Sequence, residues 1–225
     1  MRYASAAVTE LRIDFGEQGT TAFFEPASAA PSRASFVFAH GAGGHRSDRG
    51  MQRLAQTLRP RGFDLVRFNF PYREKGSSRP DPMPLLKACI AAVAERARAE
   101  PGSRPLILGG RSMGGRAASM LAADGFACDG LMLFAYPLHP AGKPRELRTA
   151  HWPRIKVPVL CVNGTRDAPC TRELMDRELA RVSNWTMHWL EGADHAFRVL
   201  KSSGRTEEKV YDEVGEAAAR WLETL

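Results

Sequence analysis

Cysteine is scarce: the chain has four in 225 residues, at positions 89, 128, 161 and 170. Their spacing fits neither a paired-thiol zinc site nor a C-x-x-C redox motif, so no metal is expected. The thiols are expected to be reduced, which suits a cytoplasmic location. Long apolar runs are missing as well. No stretch approaches the roughly 20 residues that a membrane helix needs. The opening "MRYASAAVTELRIDF" carries Glu10 and Asp14 without an apolar block, so no signal peptide is expected. Like charges never gather. The net charge is +7, yet the basic residues are mostly arginine, interleaved with acids and never five in a row. That dispersal favours a solvated surface over a nucleic-acid or other polyanionic partner. Repeats and low-complexity segments are absent, and residues 1–225 read as one domain.

Present instead are apolar runs that alternate with helical patterns. "ASFVFAH" (34–40), "FDLVRFNF" (63–70), "RPLILGG" (104–110), "DGLMLFAYP" (129–137) and "VPVLCVNG" (157–164) read as strands. Near-continuous apolar runs are expected when both faces of a parallel strand are covered. "TELRIDF" and "GTTAFFEP" read as an antiparallel pair leading into the sheet, and "NWTMHWLEG" (184–192) as its last strand. Met51, Leu54, Ala55 and Leu58 repeat at the spacing of one buried helical face, as do Leu86, Cys89, Ile90, Val93 and Ala97. The second of these helices is expected to start from an N-cap at Asp81 followed by Pro82. Val210, Val214, Ala217, Trp221 and Leu222 form a third apolar face. The polar "PYREKGSSRPDPMP" (71–84) reads as an exposed loop. The predicted class is α/β: a mostly parallel central sheet with helices on both faces.

Within that pattern one serine stands among glycines, in "LILGGRSMGGRAAS". Gly110-Arg111-Ser112-Met113-Gly114 has the G-x-S-x-G spacing of a sharp strand-to-helix turn that lifts a serine oxygen above a sheet edge. Small residues two before and two after let strand and helix approach there. A serine hydroxyl is a weak nucleophile at neutral pH and needs a base held in orientation by an acid. Asp167 in "NGTRD" and His195 in "GADHAF" follow Ser112 in that order, each just past a predicted strand. Asp194 is a weaker acid candidate because it adjoins His195 in the chain. His40, His45, His139, His151 and His188 are weaker bases, since none follows the acid at a terminal strand end. Oxyanion stabilisation needs backbone N–H donors. The residue after the serine, Met113, supplies one, and Ala42 in the glycine-rich "HGAGG" supplies the other. "HGAGG" is not a dinucleotide or Walker loop, because Arg46 stands where a glycine is required and no Gly-Lys-Ser/Thr follows. No cofactor is expected.

Taken together, "HGAGG", "GRSMGG", "NGTRD" and "GADHAF" resemble the alpha/beta-hydrolase superfamily over essentially the whole chain. The likeness is strongest to compact, dienelactone-hydrolase-like members. "YPLHPAGKP" with "HGAGG" is similar to the small hydrolases that include the testis-expressed-protein group. The resemblance implies Ser112 as nucleophile, His195 as base, Asp167 as orienting acid, and Ala42 and Met113 as oxyanion donors. It implies a serine hydrolase cleaving carboxylic esters or similar small acyl compounds through an acyl-enzyme. A non-catalytic scaffold that binds a protein partner is the alternative. Only about twenty residues separate "LFAYP" from "VPVL", a loop rather than a cap domain, so an open site is expected. Trp152 and residues 136–139 are readable either as its rim or as packing.

Overall fold

The apolar runs become the inner strands of one eight-stranded sheet, in the order β1-β2-β4-β3-β5-β6-β7-β8. A computed structural model describes residues 7–28, 31–102 and 104–225 of the chain; the first six residues of the stretch read for a leader lie outside these. In chain order the elements are β1 (Thr9–Phe15), β2 (Gln18–Glu25), β3 (Ala34–Ala39), α1 (Arg49–Leu58), β4 (Phe63–Phe68), α2 (Pro71–Glu74) and α3 (Met83–Arg98). Then come β5 (Leu106–Arg111), α4 (Met113–Ala123), β6 (Gly130–Phe134), β7 (Val159–Gly164), α5 (Arg172–Leu179), β8 (Trp185–Leu190) and α6 (Glu207–Leu222). β1 pairs with β2, and β2 with β4, antiparallel; every later pairing is parallel. This is the mostly parallel α/β architecture that the alternating pattern predicts.

Both faces are covered, which explains why the central strands lack polar alternation. On one face, Leu86, Cys89, Ile90 and Val93 of α3 and Ala117 and Ala118 of α4 pack on Val37, Leu108 and Leu131. On the other, Met51, Leu54 and Leu58 of α1 and Val210, Val214 and Trp221 of α6 pack on Phe36, Phe38 and Phe134. The three phenylalanines stack and meet edge-on, with centroids 5.0 to 6.2 Å apart. Each such buried ring stabilises the fold by about 1.5–3 kcal/mol relative to exposure. Asp48 caps α1 by accepting the Met51 amide at 2.9 Å, so the loop between β3 and α1 ends at a fixed point.

Two local expectations change, one helix is added and one open reading is decided. Asp81 does not cap α3: Pro82 holds that position, and Asp81 Oδ2 accepts the Tyr72 amide at 2.9 Å. The carboxylate thereby serves the first turn of α2, a short helix inside the segment expected to be loop. α5 carries only two buried residues, Met175 and Glu178, too faint an apolar stripe to announce a helix. Trp152 and Tyr136 are packing rather than rim. They are 1% and 0% exposed, and the Trp152 ring lies 4.1 Å from that of Trp185. The 24-residue connection between β6 and β7 holds only one 3₁₀ turn, Trp152–Arg154.

Candidate active site

The sheet order reverses between β3 and β5. β3 is followed by β4 on one side, and the chain then returns to lay β5 on the other. Loops leaving the carboxyl ends of β3 and β5 part at such a point and leave a crevice between them. Ser112 sits there, at the junction of β5 and α4, with φ 48° and ψ −116°. A non-glycine residue in that sparsely populated region costs about 1–3 kcal/mol. Packing sustains it. The Ser112 amide donates to Phe134 O at 2.9 Å, and Gly114 brings α4 against the β3 loop. A Cβ on Gly114 would stand 2.5 Å from His40 O and 2.6 Å from Ala39 O, so only glycine fits.

Two further strand ends converge on the serine. His195 Nε2 lies 3.1 Å from Ser112 Oγ. Its Nδ1 lies 2.9 Å from each oxygen of Asp167. The Asp167 side chain is fully buried, whereas that of His195 is 39% exposed. The imidazole thus bridges the half-buried serine and a dry carboxylate. Asp167 is held in turn by Asn163, whose Nδ2 donates to Asp167 Oδ2 at 3.1 Å and to Tyr136 O at 3.0 Å. Arg111 steadies the base from the opposite side. Its guanidinium donates to His195 O at 3.0 Å and lies over the Phe197 ring.

Met113 follows the serine directly, and Ala42 belongs to the loop that approaches it at Gly41. Met113 opens α4, so its amide has no helical carbonyl to serve. Gly41, one residue before Ala42, comes so close that an added Cβ would sit 3.4 Å from Ser112 Cβ. Two buried side chains shape this loop. His40 Nδ1 donates to Gly41 O at 2.8 Å, while its Nε2 accepts the Phe70 amide at 3.1 Å. Burial pushes the His40 pKa down to about 4, with only partial relief from the Gly41 hydrogen bond, which keeps the ring neutral. Tyr72 donates its hydroxyl to Ala42 O at 2.8 Å. Burial raises its pKa to about 12, so the donor proton stays in place.

The remaining acid and base candidates are placed elsewhere. Asp194 Oδ1 accepts the Ala196 and Arg198 amides at 2.8 and 2.9 Å, closing the turn that carries His195. His188 meets Glu213 at 3.0 Å and His151 meets Ser119 at 2.8 Å. His45 Nδ1 accepts the Ser47 amide at 3.2 Å. Among the described residues, no group of three His, Cys, Asp or Glu side chains is arranged to hold a metal ion, and no helix is long and apolar enough to cross a membrane.

The profile of the alpha/beta hydrolase domain family matches residues 32–223, nearly the whole chain. The chain belongs to this alpha/beta hydrolase family. Solved relatives of the same fold share little sequence with this hydrolase. A lidless α/β serine hydrolase from Xanthomonas campestris superimposes with a TM-score of 0.76 at 21% identity, over 96% of this chain and 95% of that one. A dienelactone hydrolase from Anabaena variabilis gives 0.75 at 18% identity, over 98% and 99%. Est1E from Butyrivibrio proteoclasticus gives 0.73 at 15% identity, over 95% and 99%. Identities this low establish the fold.

Asn163 and Tyr72 are the supporting residues that the sequence alone does not assign to the site. Asn163 had a signal, as the one polar side chain in the apolar run "VLCVNG". A buried amide in a strand needs partners, and the neighbouring acid candidate is one of them.

Proposed function

We propose that this hydrolase is a serine esterase that cleaves carboxylic esters or similar acyl compounds through an acyl-enzyme, with Ser112, His195 and Asp167 as its catalytic groups. The unbroken chain of hydrogen bonds from Ser112 Oγ through the imidazole to Asp167 carries the reading. Ser112 Oγ attacks the carbonyl carbon as His195 Nε2 removes its proton. Asp167 holds Nδ1–H and stabilises the imidazolium that results. Negative charge then collects on the former carbonyl oxygen, and the Ala42 and Met113 amides receive it. Collapse of this intermediate breaks the ester bond, and the imidazolium passes its proton to the departing alkoxide. Water, deprotonated by His195, attacks the acyl-Ser112 ester; the acid leaves and the serine proton returns.

Strain at Ser112 supports the same reading, because a serine serving only as a helix cap gains nothing from φ 48°. The connection after β6 holds no cap, which favours small or extended acyl substrates. The Xanthomonas relative is itself described as lidless, and the Anabaena and Butyrivibrio proteins as a dienelactone hydrolase and an Est-named protein. All four cysteines are free thiols, consistent with a cytoplasmic enzyme. Incubation with a fluorophosphonate followed by peptide mass spectrometry tests the assignment. One adduct, on Ser112, is expected; an unlabelled protein or an adduct elsewhere contradicts it.

A further inference from the structure

We propose that β8 is a self-pairing edge at which two copies of this chain join. They meet antiparallel, about a two-fold axis through Met187, so that two eight-stranded sheets become one. The proposal stands apart from the esterase reading.

The sheet ends in β1 on one side and in β8 on the other. Edge strands present unpaired N–H and C=O groups, and charged residues or proline usually blunt them. β1 follows that rule, with Glu10, Arg12 and Asp14 alternating along it, all exposed. β8 does not. Its six residues, Trp185–Leu190, include no Asp, Glu, Lys, Arg or Pro. Half of its backbone is bonded to β7. The Val159 amide donates to Asn184 O at 2.8 Å and the Thr165 amide to Leu190 O at 3.1 Å, which fixes the parity of the parallel ladder. In a parallel strand the N–H and C=O of one residue point to the same side. The even-numbered residues therefore face β7, while Trp185, Met187 and Trp189 turn theirs outward. Among the described residues, no loop backbone or side chain hydrogen-bonds to these outward groups. The three side chains are apolar, lie on the α5 face and are only partly buried.

This edge is its own complement. Antiparallel pairing about Met187 sets Met187 against Met187 and Trp185 against Trp189. These are the outward-facing residues, so each becomes a hydrogen-bonded pair that exchanges two main-chain bonds. Thr186 then lies opposite His188, in a non-hydrogen-bonded pair. Opposed aromatic residues favour pairing, and no like charges meet along the strand. A slip by one residue would offer the partner groups already bonded to β7. The flanking helices agree. α6 runs back along β8: Glu213 meets His188 at 3.0 Å, and Arg220, about two turns on, lines a groove with Thr186. The two-fold exchanges these ends, so Arg220 of each copy comes alongside Glu213 of the other, with charges opposed. A foreign strand could take the main-chain bonds, but a second copy also brings the matching Trp–Met–Trp face and the α6 charges. Because the paired strands run in opposite directions, the two Ser112 crevices open at opposite edges of the joined sheet, clear of the interface.

The mass in solution tests this. Light scattering behind gel filtration, with the protein at about 100 μM, is expected to give twice the 24.8 kDa of one chain. Met187→Lys sets two like charges against each other on the axis. Met187→Pro removes an N–H that the single chain's own ladder does not use. Each should return the mass to that of one chain with the circular dichroism spectrum unchanged, while Glu10→Lys on β1 keeps the dimer. Arg220→Glu should raise the dimer's dissociation constant about tenfold. Oxidation with diamide reports the pairing itself: an equimolar mixture of Thr186→Cys and His188→Cys should form a covalent dimer, and neither variant alone should. Wild-type protein with the mass of one chain, whether β8 is bare or holds a foreign strand, overturns the proposal. So does a dimer that both Met187 variants retain. Should a Met187 variant unfold, the cross-link decides, and its absence overturns the proposal as well.

Discussion

Asn163 and Asp167 are joined by a buried hydrogen bond of 3.1 Å, with no solvent reaching either side chain. The same amide accepts the Tyr136 N–H at 2.9 Å and donates to Tyr136 O at 3.0 Å. One side chain thus splices the strand end carrying Asp167 to the chain leaving β6. Replacing it leaves buried groups unpaired, at about 1–3 kcal/mol each. Asn163→Ala is expected to lower the urea midpoint and to reduce kcat about tenfold or more. Unchanged kcat would show that Asp167 keeps its place without this partner.

Tyr72 holds the Ala42 carbonyl from below. Tyr72→Phe removes one hydrogen bond, worth about 1 kcal/mol in stability. On the proposed mechanism it should affect turnover more than folding, because the Ala42 amide would receive the developing oxyanion. A several-fold loss of kcat with KM nearly constant is expected from steady-state kinetics. A change confined to KM would place the effect in substrate binding.

Gly114 separates two opposing effects. Alanine in a helix interior is better than glycine by about 1 kcal/mol. Here the added methyl meets two backbone carbonyl oxygens, at 2.5 and 2.6 Å, which can retreat only by moving the β3 loop. Overpacking of this kind costs about 1–3 kcal/mol. Gly114→Ala should therefore be net destabilising in urea titrations and should lower kcat; a stabilised, fully active variant would show that the loop yields freely.

Acid should weaken the fold. His40 is buried and its pKa falls from 6.5 to about 4 on folding. Between those values the unfolded chain binds the proton and the folded chain does not, so stability declines as pH falls from about 6.5 toward 4. The span corresponds to ~3 kcal/mol for His40, with a contribution of the same sign from His151. Urea midpoints measured from pH 7.5 to pH 4.5 should fall steadily below pH 6.5. A flat profile would mean that both rings gain protons without cost.

The alternation of apolar runs and helical faces makes the architecture legible in the sequence, because parallel strands covered on both sides must be continuously apolar. The positions of Ser112, Asp167 and His195 after strands are legible for a related reason: loops at one end of such a sheet share one edge. The supporting contacts are hidden. Tyr72 and Ala42 are brought together across 30 positions, and Arg111 and His195 across 84. Asp81 misleads because an acid before a helix resembles a cap until the Tyr72 amide claims it. Trp152 reads equally as rim or packing until Tyr136 and Trp185 are seen to enclose it.

The central claim is that Ser112, His195 and Asp167 work as one unit, and steady-state hydrolysis of a short-chain 4-nitrophenyl ester addresses it most directly. Ser112→Ala and His195→Ala should each lose about four orders of magnitude or more in kcat, Asp167→Asn somewhat less, and the double variant little beyond either single one. Hydrolysis by Ser112→Ala at the wild-type rate, or losses that simply multiply in the double variant, would contradict the account.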